Sequence, residues 1–208
     1  MKNYIYFLLA IVALLLVGCE SGASFTVVNK SNYPLYASIG KQAEVTIPGQ
    51  STYTWDVDTD TQYFFGGEVK KKVKVRMKGE TYLMFDEALE SYVDTTYVYL
   101  KAGEKRNAFI WPNRAGVEIQ NQSNQIMTSA KIFRHDGLVA THVVSFEDLE
   151  PGESTFSTLP PATPSNSFYY LAVIEMEDGT EYTYGDQNNI LRVDEQFLVI
   201  LSDPQPPL

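Results

Sequence analysis

The chain repeats itself, and that repetition limits the folds open to it more than any other feature. Phe25-Thr-Val-Val-Asn29-Lys-Ser31-Asn32 returns as Val117-Glu-Ile-Gln-Asn121-Gln-Ser123-Asn124. Pro48-Gly49-Gln50-Ser51-Thr52-Tyr53 returns as Pro151-Gly152-Glu153-Ser154-Thr155-Phe156. Val75-Arg-Met77-Lys-Gly79 is answered by Ile174-Glu-Met176-Glu-Asp-Gly179, and Phe109-Ile-Trp111-Pro112 by Val199-Ile-Leu201-Ser-Asp-Pro204. Four matches in one order, with a spacing that drifts as loop insertions would make it drift, describe an internal duplication. The copies run over residues 25–113 and 116–203.

Each copy reads as strands. Glu44–Ile47, Val73–Lys78 and Tyr97–Leu100 alternate apolar with polar, the period of a half-buried strand. Pro48-Gly49 and Pro151-Gly152 carry the residues a type II turn needs at its two centres, and Asp136-Gly137, Asp178-Gly179 and Lys78-Gly79 fit tight hairpin turns. Residues 85–91 read as a loop or short helix. The expected fold class is all-β, with two tandem antiparallel β-sandwiches. Modules of about 90 residues resemble the immunoglobulin-like sandwich of seven or so strands. The opening strands also resemble the first two of thaumatin-like proteins, without the many cysteines that hold that fold.

The first nineteen residues hold Lys2, an apolar run from Tyr4 to Val17, then Gly18 and Cys19, the layout of an export signal. The run falls short of the about 20 residues that a helix needs to span a bilayer. Leu16-Val17-Gly18-Cys19 resembles the lipobox of bacterial lipoproteins, and this Cys is the chain's single one. The resemblance implies a signal peptide at 1–18, cleavage before Cys19, lipid on its sulfur and on its new amino group, and a lipidated linker at 19–24. With Glu20 following rather than Asp, it implies the outer membrane as the address. Several acyl chains would anchor the mature chain without a span of its own. A Pro-rich tail closes it at 204–208.

Charge removes some functions. A net charge of −10 argues against nucleic acid as partner. The excess belongs to the second copy: residues 114–208 hold 4 bases against 14 acids, whereas 25–113 are balanced. Neither a Gly-x-Ser-x-Gly elbow nor His-Glu-x-x-His is present, no cofactor motif is found, and the expectation is a chain without catalytic residues. Paired acids at Asp86-Glu87 and Glu147-Asp148 leave an envelope hydrolase as a minor alternative. If Asp136-Gly137 is a two-residue turn, Arg134 pairs with Val139 and Lys131 with His142, and His135 lies about 13 Å from His142, too far to share a metal. Asp56-Val-Asp58-Thr-Asp60 begins like a calcium loop, but Thr61 and Gly67 stand where its Gly and bidentate Glu belong.

Two surfaces remain. Lys70, Lys72, Lys74, Arg76 and Lys78 form a basic stripe on the solvent face of a strand, either protecting a sheet edge or binding an acidic surface of this or another chain, or lipid phosphates. Tyr63, Phe64 and Phe65, with Phe168, Tyr169 and Tyr170, are clustered rings able to form a protein hot spot or stack on sugar. The expected role is a lipid-anchored cell-envelope protein engaged in protein interaction, assembly or adhesion. The alternative is a carbohydrate- or small-ligand-binding surface lipoprotein.

Overall fold

The computed structural model describes residues 22–59 and 70–203. Over these the chain is all β. The strands are β1 (Ala23–Asn29), β2 (Leu35–Ile39), β3 (Val45–Ile47), β4 (Thr52–Val57), β5 (Lys70–Gly79), β6 (Met84–Asp86), β7 (Ser91–Val93), β8 (Thr95–Lys101), β9 (Lys105–Ile110), β10 (Ala115–Asn121), β11 (Met127–His135), β12 (Ala140–Leu149), β13 (Ser154–Leu159), β14 (Tyr169–Met176), β15 (Glu181–Tyr184) and β16 (Gln196–Leu201). The sheet β4-β1-β9 packs on β3-β2-β5-β8, and β13-β10-β16 packs on β12-β11-β14-β15, giving two immunoglobulin-like sandwiches in tandem.

Both sandwiches follow one plan. The opening strand pairs antiparallel with one neighbour and parallel with the closing strand: β1 with β4 and β9, β10 with β13 and β16. Phe25, Leu35, Trp55, Val75 and Leu100 lie in the first core, and Val117, Ile132, Tyr170, Ile174 and Val199 in the second, with no residue shared. The alternation read from Val73 to Lys78 is the one observed: Val73, Val75 and Met77 are buried, while Lys72, Lys74, Arg76 and Lys78 face out.

The recurring Asn-x-Ser-Asn has a structural reason. Asn29 and Asn121 are buried at the end of the opening strand of each module. The Asn29 amide donates to the carbonyls of Tyr33, Ile47 and Pro48, and its Oδ1 accepts from Ser31 N. The Asn121 amide donates to Gln125 O and Leu149 O, while its Oδ1 accepts from Ser123 N and Ser123 Oγ. One side chain thus satisfies the backbone of two loops that no ladder reaches.

Several local expectations are corrected. Gly152 adopts the left-handed φ of 85° expected of a type II turn, but at the first copy that conformation belongs to Gln50, at 57°. Gly49 is needed there for space, since a Cβ would sit 2.2 Å from the Asn32 carbonyl oxygen. Lys78-Gly79 is not a turn, because Gly79 still pairs with Leu35. Residues 85–91 hold no helix: 87–90 are the expected loop between strands, closing the hairpin β6-β7, and its bend is fastened by Asp86 Oδ1 accepting from the amides of Ala88 and Leu89. At Asp136-Gly137 the turn takes in Leu138 and Val139 too, so Arg134 pairs with Thr141 and Phe133 with His142, and a bulge follows between Ile132 and Phe133. The two histidines are therefore diagonal neighbours, about 7–8 Å apart at the backbone, not at the larger separation expected.

Candidate functional site

The basic stripe lies on a strand whose two neighbours cover different stretches of it. β5 pairs with β2 from Val75 to Gly79, with Gly40 N donating to Lys74 O, and with β8 from Lys70 to Arg76. Lys70 and Lys72 thus lie past the end of β2, where edge protection remains a role for them, while Lys74 and Arg76 lie between two strands. Lys72 stands opposite Tyr99 and Lys74 opposite Tyr97. The Lys72 ammonium sits 4.1 Å from the centre of the Tyr97 ring, a cation–π contact. Arg76 pairs with Asp94 at 2.9 Å, and the Thr95 hydroxyl, followed by Arg76, holds the Asp94 carboxyl below the usual carboxylate range. Lys70 lies opposite Lys101. Lys78 alone reaches the second module, 4.6 Å over the Phe156 ring, so that contact is aromatic rather than an ion pair.

At the opposite end of the stripe the described residues form two adjoining clefts. A cleft of about 480 Å³ is lined by Lys41, Lys71, Lys72 and Lys74, with Gln42 and Asp58. Lys71 donates to the Asp58 carbonyl. A second cleft of about 330 Å³ shares Val57 and Asp58 with it and is lined also by Gly22, Asp56, Glu104 and Lys105. Asp60, Thr61 and Gly67 of the calcium-like segment lie outside the described residues.

The aromatic clusters divide differently from the expectation. Phe168 and Tyr170 belong to the second core, the Tyr170 hydroxyl donating to Pro160 O at 2.6 Å and burial pushing its phenol above the ordinary range. Strand alternation turns Tyr169 the other way, where it stacks on His135 at 5.1 Å. Tyr63, Phe64 and Phe65 lie outside the described residues. The rings that do face water include Tyr97 and Tyr99, at 52% and 50% exposure, and a group the sequence reading missed: Phe85, Tyr92, Phe109 and Trp111. Phe85 and Tyr92 form an edge-to-face pair on the β6-β7 hairpin, and the Arg114 guanidinium covers Tyr92 at 4.0 Å.

His142 Nε2 lies 2.9 Å from the Ser145 hydroxyl, on an exposed sheet face. Among the described residues no carboxylate backs this imidazole, so the third group that orients a catalytic base is missing from the pair. Nor do three or more His, Cys, Asp or Glu side chains gather to hold a metal ion among the described residues.

The modules meet at a polar joint. Asp194, at a left-handed φ of 65°, accepts from Ser31 Oγ at 2.6 Å, Thr81 Oγ1 at 2.9 Å and Asn32 N at 3.0 Å. Beside it Glu80, only 4% exposed, accepts from Tyr36 Oη and Gln196 Nε2, and Tyr36 stacks on Phe156 at 5.0 Å. Burial holds the Glu80 carboxyl above its ordinary range, outweighing those two hydrogen bonds. Its proton is thus bound more tightly in the folded chain. The resulting stabilisation is full below the ordinary Glu pKa and is lost as pH rises through the raised value. Urea unfolding at pH 5, 6 and 7 should therefore show stability falling more with rising pH in the native protein than in Glu80→Gln. Equal slopes would show that this carboxyl does not set the dependence.

No protein-family model matches the sequence, and no curated protein matches it. Among solved structures, the Bacillus anthracis TIE protein matches over 88% of this chain and 34% of its own, at 10% identity and a TM-score of 0.29, so this chain spans about a third of that relative. A candidate cell adhesion protein of Bacteroides uniformis matches over 88% of this chain and 92% of its own, at 10% identity and TM-score 0.39. The major pilin of Streptococcus pyogenes matches over 88% and 98%, at 12% identity and TM-score 0.24. Likeness at this level leaves partner and activity to the geometry of this chain itself.

Proposed function

We propose that this chain is a non-catalytic interaction protein of the bacterial cell envelope, held at a membrane by lipid on Cys19 and serving assembly or adhesion. One observation carries the protein-contact part: the β6-β7 hairpin presents Phe85, Leu89 and Tyr92 at 50%, 65% and 50% exposure. The Asn113 side chain bonds both backbone groups of Leu83 at the hairpin's base, which brings Trp111, 65% exposed, to the same neighbourhood. Exposed aromatic and aliphatic side chains grouped this way mark contact surfaces, because a partner's desolvation of them is favourable.

A photo-crosslinking residue at Leu89 on intact cells is expected to give a discrete protein adduct, and the same residue at Lys131 none. Phe85→Ser with Tyr92→Ser should abolish the adduct while the purified chain unfolds as before. An adduct pattern indifferent to both changes would remove the hairpin as the contact. Lipid attachment is checked separately, by acyl labelling that Cys19→Ser should eliminate.

A further inference from the structure

Charge is separated along the protein. β1 begins and β2 ends at one end of the first module, where Lys41, Lys71, Lys72, Lys74 and Lys105 gather and outnumber the Asp56, Asp58 and Glu104 that line the same two clefts. The other end of that module carries Ser31 and Thr81 into the joint. The second module continues from the joint, and Glu150, Glu153, Asp178 and Asp203 occupy the turns at its far end, where Asn124 N bonds Asp203 and Gln125 bonds Asp178. Arg76–Asp94 and Arg106–Glu104 are ion pairs among the described residues that involve none of the cleft's four ammonium groups, of which Lys71 donates to a carbonyl, that of Asp58.

The first described residue sits at this basic end. Gly22 lines the cleft that adjoins the lysine cleft, and its carbonyl accepts from Gly103 N at 2.6 Å. Three residue steps separate it from Cys19, at most about 11 Å of extended chain. We infer that the lysine cleft is a seat for the phosphates of anionic lipid headgroups, which stands the protein on its basic end with the acidic module turned away from the bilayer. The inference rests on lipid at Cys19, the reading given above. Attraction to a charged surface fades within a Debye length of about 8 Å. β1, 7 residues long, spans about 23 Å, so the acids of the second module lie beyond that field. The acidic far end of a second copy has complementary charge as well, but on anchored neighbours it points away from the membrane that the cleft adjoins.

The test uses the processed, lipidated chain in vesicles of phosphatidylcholine alone or with about 30% phosphatidylglycerol, probed with a membrane-impermeant amine reagent and read residue by residue by mass spectrometry. Labelling of Lys41, Lys71, Lys72 and Lys74, relative to Lys131, should slow at least about fivefold on the anionic vesicles and recover in about 1 M NaCl, where the Debye length is about 3 Å. Equal rates on both vesicles overturn the seat. Protection that ignores lipid charge but grows with protein density also overturns it, and assigns the cleft to the acidic end of another copy. Failure of the anchor reads differently, as a chain that does not float with either vesicle and a Cys19 peptide without acyl mass.

Discussion

Asn121→Ala should lower the stability of the second module by about 3–5 kcal/mol, the largest effect expected from a change that adds no charge and no bulk. The alanine takes the buried side-chain partner from Leu149 O and Ser123 N, while Gln125 O keeps the Ser123 hydroxyl at 3.1 Å. Each orphaned group costs about 1–3 kcal/mol. Asn121→Asp is the sharper probe, because it keeps the shape and reverses the chemistry: two carbonyls that now receive N–H would face a carboxylate oxygen. It should be at least as damaging at neutral pH. Asn29→Ala should do the same to the first module, where the amide serves three carbonyls. Urea unfolding followed by Trp fluorescence for the first module and by hydrogen exchange for the second separates the two. A loss under about 1 kcal/mol for Asn121→Ala would mean that water replaces the side chain at no cost.

Asp194→Ala should uncouple the modules. It removes the carboxylate from Ser31 Oγ and Thr81 Oγ1, which are only 3% and 1% exposed and then have each other at 2.7 Å, so that one of the two hydroxyls loses its acceptor, and it removes the acceptor of the Asn32 amide. About 2–4 kcal/mol of joint stability should go, and one cooperative transition should become two. Asp194→Asn tolerates the left-handed backbone and retains one acceptor oxygen, so it should fall between. Asp194→Gly relieves the φ of 65° yet loses the carboxylate, which separates backbone strain from hydrogen bonding. Small-angle scattering should show a wider spread of module orientations for the alanine and glycine forms alone. Unchanged scattering and a single transition in Asp194→Ala would place the rigidity of the joint in the Tyr36–Phe156 stack instead.

What could be read in advance was whatever one strand or one loop determines by itself. The alternation of Val73 to Met77 settles which side of β5 faces the core, because side chains in a strand alternate with period two. The same alternation says nothing about neighbours: that β2 covers β5 only from Val75 to Gly79, and β8 only from Lys70 to Arg76, depends on strands far away in the sequence. Phe168-Tyr169-Tyr170 looked like one exposed cluster because phase is undefined for three rings in a row; once β14 has a phase, the first and third must go inside. The β6-β7 hairpin was obscure because each strand has only three residues, too few for a period. The joint was invisible for another reason. Asp194 meets Ser31 across 163 residues of sequence, and no local pattern marks a carboxylate destined for so distant a hydroxyl.

The parallel pairing of β1 with β9 and of β10 with β16 has a mechanical consequence. A load that enters at Ala23 and leaves beyond Ile110 pulls two side-by-side strands past each other, along the ladder from Ser24–Lys105 to Asn29–Ile110. The hydrogen bonds of that ladder then resist together, in shear, instead of opening one after another as in a peeled hairpin. The next module receives the same load through Gly116–Gln196 to Asn121–Leu201. A tether at one end and a grip at the other would therefore strain both modules in their strongest direction.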